Sequence, residues 1–249
     1  MRLVTFTHQG RTALGALQAG PAGELVYDLN RLDPGIPADM MAFLQAGDAA
    51  LDLARQALAT APAGQGYAID RVVLQAPVPR PGKVIGVGKN YLDHARETDS
   101  SAPPFPMIFA KWANTIIGPG APIIVPPDVT EPDYEGELGV VIGRRCRNVA
   151  EADALDYVAG YLAVNDVSAR DWQFRTSQYT LGKSPDTFCP IGPALVTADE
   201  IPDVRIAYAV TDDAWLGLET TGLTDPIPGW RSGETFSYTA PDFPLPADA

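Results

Sequence analysis

Two glutamates lie two positions apart at the start of an apolar segment. The segment runs Asp133-Tyr134-Glu135-Gly136-Glu137-Leu138-Gly139-Val140-Val141-Ile142. On a strand, Glu135 and Glu137 would project to the same face, beside apolar residues that must be buried. Two adjacent carboxylates are costly there unless a cation neutralises them, and their hard oxygens suit Mg²⁺, Mn²⁺ or Ca²⁺. The pair predicts part of a metal site, and an edge strand that exposes both glutamates to water is the alternative.

A third carboxylate, Asp166, follows the apolar run Tyr161-Leu162-Ala163-Val164. Residues at the end of a strand commonly carry active-site groups. Three carboxylates and a few waters would complete an octahedral magnesium site. Asp166 therefore extends the predicted metal site, although Asn165 or Asp166 could instead cap a helix that follows.

His94 is one of two histidines in the chain, and Glu97 follows it by three positions. If this segment is a helix, the two side chains share a face, so the carboxylate could orient the imidazole as a general base. A solvated helix face without a catalytic role is the alternative.

Lys183 lies in a segment, residues 181–193, that is rich in glycine, proline and other turn residues. A lysine in such a loop could pair with an oxyanion of a substrate. An exposed surface lysine is the alternative.

The elements that must position these residues are mostly strands. Residues 1–35 predict a small meander, and residues 38–59 predict one or two helices interrupted near Gly47. Further strands, joined by Gly/Pro turns, are predicted at 72–74, 84–87, 106–110, 115–117, 122–125, 137–142 and 158–164. This spacing favours a mixed, largely β architecture over a doubly wound sheet with a helix after every strand.

The composition indicates a globular protein with a strongly acidic surface. The 249 residues are 46% hydrophobic and carry a formal net charge of −13. This hydrophobic content argues against disorder, and no apolar run is long enough to cross a membrane. The acidic charge argues against nucleic acid or a membrane as a partner, so a metal or lysines would have to receive an anionic substrate.

The cysteines and the first residues predict the compartment. Cys146 and Cys189 are too few for a disulfide framework, and both are predicted to be buried thiols. The first residues show no secretory signal pattern. We therefore expect a cytoplasmic protein.

Four segments together resemble the motifs of the fumarylacetoacetate hydrolase family, metal-dependent enzymes that act on 2-oxo acids and acylpyruvates. In the family's order they are Pro79-Arg80-Pro81-Gly82-Lys83-Val84-Ile85-Gly86-Val87-Gly88-Lys89-Asn90-Tyr91, Asp133-Tyr134-Glu135-Gly136-Glu137-Leu138, Asn165-Asp166-Val167-Ser168-Ala169-Arg170-Asp171 and Gly182-Lys183-Ser184-Pro185-Asp186-Thr187-Phe188. The resemblance covers about residues 1–210. It implies an α+β, mainly β fold, in which a small N-terminal α+β domain at 1–70 precedes a mixed β-sandwich roll at 71–210. It also implies a homodimer.

The resemblance implies a role for each candidate side chain. The metal ligands would be Glu135, Glu137 and Asp166, with Mg²⁺ or Mn²⁺ as the cofactor. The catalytic groups would be the dyad His94 and Glu97, on a lid helix, and the substrate-facing Lys183. The substrate-binding groups would be Lys111, Arg170 and Gln173.

The implied activity is cleavage of a C–C bond in a 2-oxo acid or acylpyruvate, as used in aromatic compound catabolism. The metal would chelate the 2-oxo and carboxylate oxygens and stabilise the enolate that forms as the bond breaks. His94, held by Glu97, would activate a water, and Lys183 would stabilise the oxyanion. Hydratase, decarboxylase and isomerase reactions share the same enolate and stay open.

Two features depart from the family pattern. Pro185 replaces the aromatic residue expected after Lys-Ser, and the late Gly-Asp-x-Ile/Val-x-Thr-Gly-Thr-Pro-x-Gly segment is absent after Val210. Residues 211–249 are instead acidic and rich in proline, without a sustained period, which predicts a disordered or frameshifted tail. A catalytically impaired homologue with an incomplete pocket is therefore the rival hypothesis.

Overall fold

The structure is a computed structural model that describes residues 1–21, 23–62, 64–88 and 105–201, and the backbone of 205–211, 214–216 and 236–239. Most regular structure in this part of the chain is β. The strands are β1 (Arg2–His8), β2 (Arg11–Gly20), β3 (Gly23–Asp28), β4 (Tyr67–Ala68), β5 (Val73–Gln75), β6 (Val84–Gly88), β7 (Met107–Lys111), β8 (Ile116–Ile117), β9 (Pro132–Asp133), β10 (Gly136–Ile142), β11 (Val158–Asn165), β12 (Ser168–Ala169), β13 (Cys189–Thr197), β14 (Arg205–Thr211), β15 (Ala214–Leu216) and β16 (Phe236–Thr239).

The helices in the same residues are short. The α-helices are α1 (Leu29–Leu32), α2 (Met40–Ala46), α3 (Asp48–Ala59), α4 (Arg170–Gln173) and α5 (Thr180–Lys183). Short 3₁₀ helices lie at Ile69–Arg71, Ala113–Thr115, Glu151–Tyr157 and Ala198–Glu200. None of the described helices has the length and apolar character needed to cross a membrane.

Nine of the described strands form one large sheet. Seven follow one another in the order β10-β11-β13-β1-β2-β3-β4, while β5 pairs with β1 and β8 pairs with β13. The β8–β13 pairing is parallel, and the neighbours along the main path are antiparallel. The predicted α+β, mainly β class with a mixed sheet is therefore confirmed. The sheet also joins strands from both sides of the predicted domain boundary near residue 70, because β1 pairs with β13.

The large sheet is buried on both faces around β1. Leu3 belongs to a core cluster that includes Leu29 and Phe43 from the N-terminal helical region. Val4 and Phe6 belong to a second cluster. Successive side chains of a strand point to opposite faces, so β1 supplies apolar side chains to both cores.

The N-terminal meander and the interrupted helices are as the sequence predicted. Asp39 begins α2 by accepting a hydrogen bond of 2.9 Å from the amide of Ala42. Gly47 separates α2 from α3 with a φ of 65°, a conformation that a residue without Cβ adopts readily.

Residues 122–125 do not form a strand, so that prediction is wrong. Pro122 and Pro126 lack the amide hydrogen that a ladder requires. The amide of Ile124 donates instead to Oγ1 of Thr187 at 2.8 Å. The segment is an irregular surface connection, in which the Ile124 side chain is 58% exposed.

A separate sheet of three strands, in the order β15-β14-β16, reaches into the predicted tail. The absence of regular structure predicted beyond Val210 is wrong for β15 and β16. Both pair with β14 through main-chain groups, and such pairing requires no alternation of side chains. The rest of 211–249 lies outside the described residues, so the frameshift hypothesis stays a prediction.

One cysteine is buried and the other is not. Cys189 is 1% exposed, as predicted, but Cys146 is exposed, so the prediction for Cys146 is wrong. Cys146 follows β10 between Arg145 and Arg147, and these charged side chains keep the turn in water.

Candidate active site

Two antiparallel strands bring two of the predicted carboxylates together. In the register of β10 and β11, Gly136 lies opposite Asn165. The pairing continues one step further, because the amide of Asp166 donates to the carbonyl of Glu135 at 2.8 Å. Glu135 and Asp166 are therefore neighbours across the pair, and Glu137 follows Glu135 with the spacing of one strand face.

A second, two-residue ladder fixes Glu135. Strands β9 and β12 pair antiparallel, with Ser168 opposite Asp133. The hydroxyl of Ser168 donates to Oε1 of Glu135 at 2.9 Å. Oδ1 of Asn165 accepts a hydrogen bond of 3.2 Å from the amide of Glu135. Both the backbone and the side chain of Glu135 are thus held in place.

Lys183 contacts both carboxylates. It ends α5, and its side chain is 2% exposed, which excludes the surface-lysine alternative. Its Nζ donates to Oε1 of Glu135 at 2.6 Å and to Oδ2 of Asp166 at 2.7 Å. One ammonium therefore neutralises a buried carboxylate, Asp166, and a partly buried one, Glu135, which would otherwise repel each other.

A second buried lysine contacts the other oxygen of Asp166. Lys111 ends β7, and its side chain is 3% exposed. Its Nζ donates to Oδ1 of Asp166 at 2.6 Å and to the carbonyl of Val167 at 3.1 Å. Each oxygen of Asp166 thus faces an ammonium, which offsets the desolvation of a buried charge.

Arg170 directs its guanidinium at neighbouring protein side chains. Its Nε and Nη2 donate to Oδ2 of Asp133 at 2.9 and 2.7 Å. Its Nη1 lies 2.7 Å from Oε1 of Glu135 and donates to Oε1 of Gln173 at 2.8 Å. These contacts use most of the donors of a guanidinium group. The structure therefore brings Arg170 and Gln173 to the site, where Arg170 contacts Glu135 and Gln173 contacts Arg170.

The ion pairs shift the pKa values of their members. Burial raises the pKa of Glu135, but Lys183 and Arg170 together lower it by more than burial raises it, so the net shift is downward. Burial lowers the pKa of Lys111 by more than its contacts with Asp166 raise it. Burial also lowers the pKa of Arg170, but Glu135 and Asp133 together raise it by more, so the net shift is upward. Glu135 is therefore a carboxylate and Arg170 a cation at neutral pH.

Two of the three predicted metal ligands converge on a cation, which here is the ammonium of Lys183. Glu137 lies on β10 opposite Val164. Within the part of the chain that the structure describes, no group of three or more His, Cys, Asp or Glu side chains is arranged to hold a metal ion. The donors are nevertheless the hard oxygens that Mg²⁺ and Mn²⁺ prefer, so their chemistry fits a divalent metal.

Two glycines allow the elements around Lys183 to approach closely. A Cβ at Gly182 would lie 2.5 Å from the amide nitrogen of Gln173. A Cβ at Gly86, on β6, would lie 2.2 Å from the ring of Phe109, on β7. The centroid of that ring is 5.1 Å from Nζ of Lys183, which adds a cation–π contact to the lysine.

Sequence reasoning missed Asp133 and Ser168. Each lies two positions from a predicted ligand, so the same strand spacing that marked the glutamates could have found them. The helix-cap alternative for Asn165 and Asp166 is not observed, because Ala169 precedes α4 and no side chain caps it.

The predicted dyad of His94 and Glu97 lies outside the described residues. Their roles stay predictions.

The family resemblance is confirmed by comparison with known proteins. Residues 83–224 match the family model described as Fumarylacetoacetate (FAA) hydrolase C-terminal. The chain belongs to the fumarylacetoacetate hydrolase family.

Among curated proteins, it is 48% identical over 208 residues to "Oxaloacetate tautomerase Fahd2a, mitochondrial" of Rattus norvegicus, covering 82% of this chain and 64% of that one. It is 46% identical over 209 residues to the protein of the same activity, FAHD2A, of Homo sapiens, covering 82% and 65%. The chain thus spans slightly less than two thirds of these relatives.

Solved structures share the fold. A putative HpcE protein from Mycobacterium smegmatis superposes with a TM-score of 0.70 at 35% identity, covering 84% of this chain and 71% of that one. A maleylpyruvate hydrolase from Sphingobium sp. SYK-6, in complex with manganese(II) and pyruvate, superposes with a TM-score of 0.66 at 27% identity, covering 84% and 72%.

Proposed function

We propose that this chain is a metal-dependent enzyme that forms and stabilises the enolate of a 2-oxo acid. The observation that carries the proposal is the convergence of Glu135 and Asp166 on the buried ammonium of Lys183. Carboxylates and lysines gathered in a water-poor site can hold a cation and receive the charge of an anionic substrate.

Glu135, Glu137 and Asp166 would hold a divalent metal, Mg²⁺ or Mn²⁺. When bound, such a metal supplies Lewis-acid stabilisation of negative charge on oxygen. Support comes from the donor chemistry and from the manganese in the solved maleylpyruvate hydrolase.

The protein side chains have separate tasks in this proposal. Lys183 donates a hydrogen bond to the oxygen on which the enolate charge develops. Lys111 neutralises Asp166 from the side opposite Lys183. Arg170 orients Glu135 and keeps its pKa low, so that the carboxylate remains charged.

Two reactions of the enolate are supported by different relatives. Keto–enol tautomerisation of oxaloacetate is the named activity of the rat and human relatives. It requires one proton to be moved and the enolate to be stabilised. Hydrolysis of a C–C bond in an acylpyruvate or similar 2-oxo acid, related to the named activity of the solved maleylpyruvate hydrolase, also requires an activated water. His94, held by Glu97, would activate that water.

A direct assay separates these reactions from the impaired-homologue hypothesis. Loss of enol absorbance is followed for oxaloacetate and for acetylpyruvate, with Mn²⁺ or with excess chelator. We expect metal-dependent turnover, and Glu137→Ala should lose metal binding and activity together. His94→Ala should lower kcat for hydrolysis by about 10²–10⁴-fold with nearly intact metal affinity. Turnover that persists in chelator would contradict the proposal, and no turnover by metal-loaded protein would favour the impaired homologue.

The proposal includes a homodimer, as the family resemblance implies. Light scattering coupled to size exclusion should give twice the mass of one chain. A cytoplasmic location stays a prediction, and the rat and human relatives are named as mitochondrial.

A further inference from the structure

Three aromatic rings lead away from the buried ammonium of Lys183. Its Nζ lies 5.1 Å from the centroid of the Phe109 ring. Phe109 and Tyr179 meet edge to face, with centroids 6.1 Å apart and planes at 67°. Tyr179 and Phe174 meet in the same way, at 6.3 Å and 80°. We call Phe109, Tyr179 and Phe174 the aromatic row.

The aromatic row is attached to the elements that position Lys183. Phe109 lies on β7, Phe174 directly follows α4, and Tyr179 directly precedes α5. The amide of Lys183 donates to the carbonyl of Tyr179 at 3.0 Å. A ligand seated against the row would therefore lie at a fixed distance from the Lys183 ammonium.

The outer end of the aromatic row is open to solvent. Phe174 is 68% exposed, whereas Phe109 and Tyr179 are half-buried. A cluster that served packing alone would be expected to bury its outermost ring, because burial of a large apolar side chain is favourable. An exposed aromatic surface beside convergent charged groups is typical of a ligand-binding site.

We propose that the aromatic row binds an apolar substituent, aryl or alkenyl, at the distal end of the 2-oxo acid substrate. This inference rests on the proposed function, since it takes Lys183 as the group that meets the reacting oxygen. The oxo and carboxylate groups would lie among the charged side chains, and the distal carbons would run outward along the rings. Oxaloacetate carries a second carboxylate at that end and offers the rings no apolar group. The row would therefore favour acylpyruvates with large apolar acyl groups.

The test compares two substrates that differ only in the distal group. The quantity kcat/KM is measured for acetylpyruvate and benzoylpyruvate with Mn²⁺ present. We expect the wild type to prefer benzoylpyruvate by about tenfold, which corresponds to about 1.4 kcal/mol. Phe174→Ala should lose most of this preference through KM, while its kcat/KM for acetylpyruvate stays within about twofold of the wild-type value.

A matched control removes another exposed apolar side chain. Leu155 is 74% exposed on the 3₁₀ helix Glu151–Tyr157, which carries none of the site residues. Leu155→Ala should keep the wild-type preference. Tyr179→Leu, which removes the middle ring and keeps an apolar side chain, should weaken the preference as Phe174→Ala does.

The proposed role of the aromatic row is overturned if the wild type has the same kcat/KM for both substrates. It is also overturned if Phe174→Ala lowers kcat/KM by the same factor for both. If neither acylpyruvate is turned over, the hydrolysis reaction of the proposed function fails while tautomerisation of oxaloacetate is tested separately, and titration calorimetry of the two acylpyruvates then tests the aromatic row. Tighter binding of benzoylpyruvate that Phe174→Ala abolishes would support it. Equal dissociation constants for the two ligands would overturn it.

Discussion

Replacing Lys183 with methionine would remove an ammonium from between a buried carboxylate, Asp166, and a partly buried one, Glu135, and keep most of the side-chain volume. Nζ lies 2.6 Å from an oxygen of Glu135 and 2.7 Å from an oxygen of Asp166, so both would lose a direct partner. Removing one partner of a buried ion pair costs about 3–5 kcal/mol. Arg170 remains on Glu135 and Lys111 remains on Asp166, so we expect the lower end, about 3 kcal/mol. For a chain of this size, that is a fall of roughly 6–12 °C in Tm.

Thermal unfolding in excess chelator, followed by circular dichroism, measures this loss. Lys83→Met is the matched control, because Lys83 is exposed beside β6 and its replacement should change Tm by no more than about 2 °C. Added Mn²⁺ should raise Tm more in Lys183→Met than in the wild type, because the ammonium no longer competes for the two carboxylates. Unfolding of Lys183→Met at the wild-type temperature in chelator would refute the assigned ion pairs. If Mn²⁺ raised Tm equally in the two proteins, this would refute competition between the Lys183 ammonium and Mn²⁺ for the two carboxylates.

Three further outcomes are expected. Burial raises the pKa of Glu135, but its cationic neighbours lower it by more, so the net shift is downward. The charge of Glu135 therefore stabilises the fold at pH values above the ordinary glutamate pKa. This stabilisation is lost as pH falls through the lowered pKa. The urea midpoint of Glu135→Gln should therefore fall less between about pH 7 and about pH 3 than that of the wild type. Gly182→Ala should destabilise the fold by about 1–3 kcal/mol in thermal unfolding, because its Cβ would lie 2.5 Å from a backbone nitrogen, whereas Gly82→Ala, with nothing within 4 Å, should resemble the wild type. Cys146 should react with a thiol reagent in the native protein at about pH 8, whereas Cys189, whose pKa burial raises to about 11, should react only after unfolding. Mass spectrometry counts the labelled thiols, and a native signal that survives Cys146→Ser would contradict this assignment.

The carboxylates could be found in the sequence because strand geometry is local. Glu135 and Glu137 are separated by one residue, and this spacing alone indicates a shared face. Asp166 was marked by the end of an apolar run, which is also a local signal. The register that makes Glu135 and Asp166 neighbours was not predictable, because it depends on the pairing of β10 with β11.

The partners of the carboxylates were harder to predict than the carboxylates themselves. Lys183 is separated from Glu135 by 48 positions, and no local pattern specifies that contact. The sequence left Lys183 open between an exposed lysine and a substrate-facing lysine. Its burial depends on the close approach of α5 to α4, which Gly182 permits. Whether Lys183 is buried or exposed therefore depends on the assembled fold.

Strand prediction succeeded where apolar alternation and backbone donors agreed. The meander at 1–35 has both. The segment 122–125 has apolar residues, but its prolines remove donors, and it is irregular. The strands at 214–216 and 236–239 are only 3 and 4 residues long, which is too short to show a sustained period, yet both pair with β14.

The pairing of β1 with β13 has a consequence for how the chain folds. Leu3 lies opposite Leu195, so β1 completes its hydrogen bonds with a strand that is synthesised much later. Closing such a long loop is entropically costly, and folds rich in distant contacts form slowly. Until β13 arrives, the nascent meander exposes part of the edge of β1, and β11 lacks the neighbour that joins it to the rest of the sheet. The carboxylate and lysine cluster would therefore assemble in the same late step that shields this edge from aggregation.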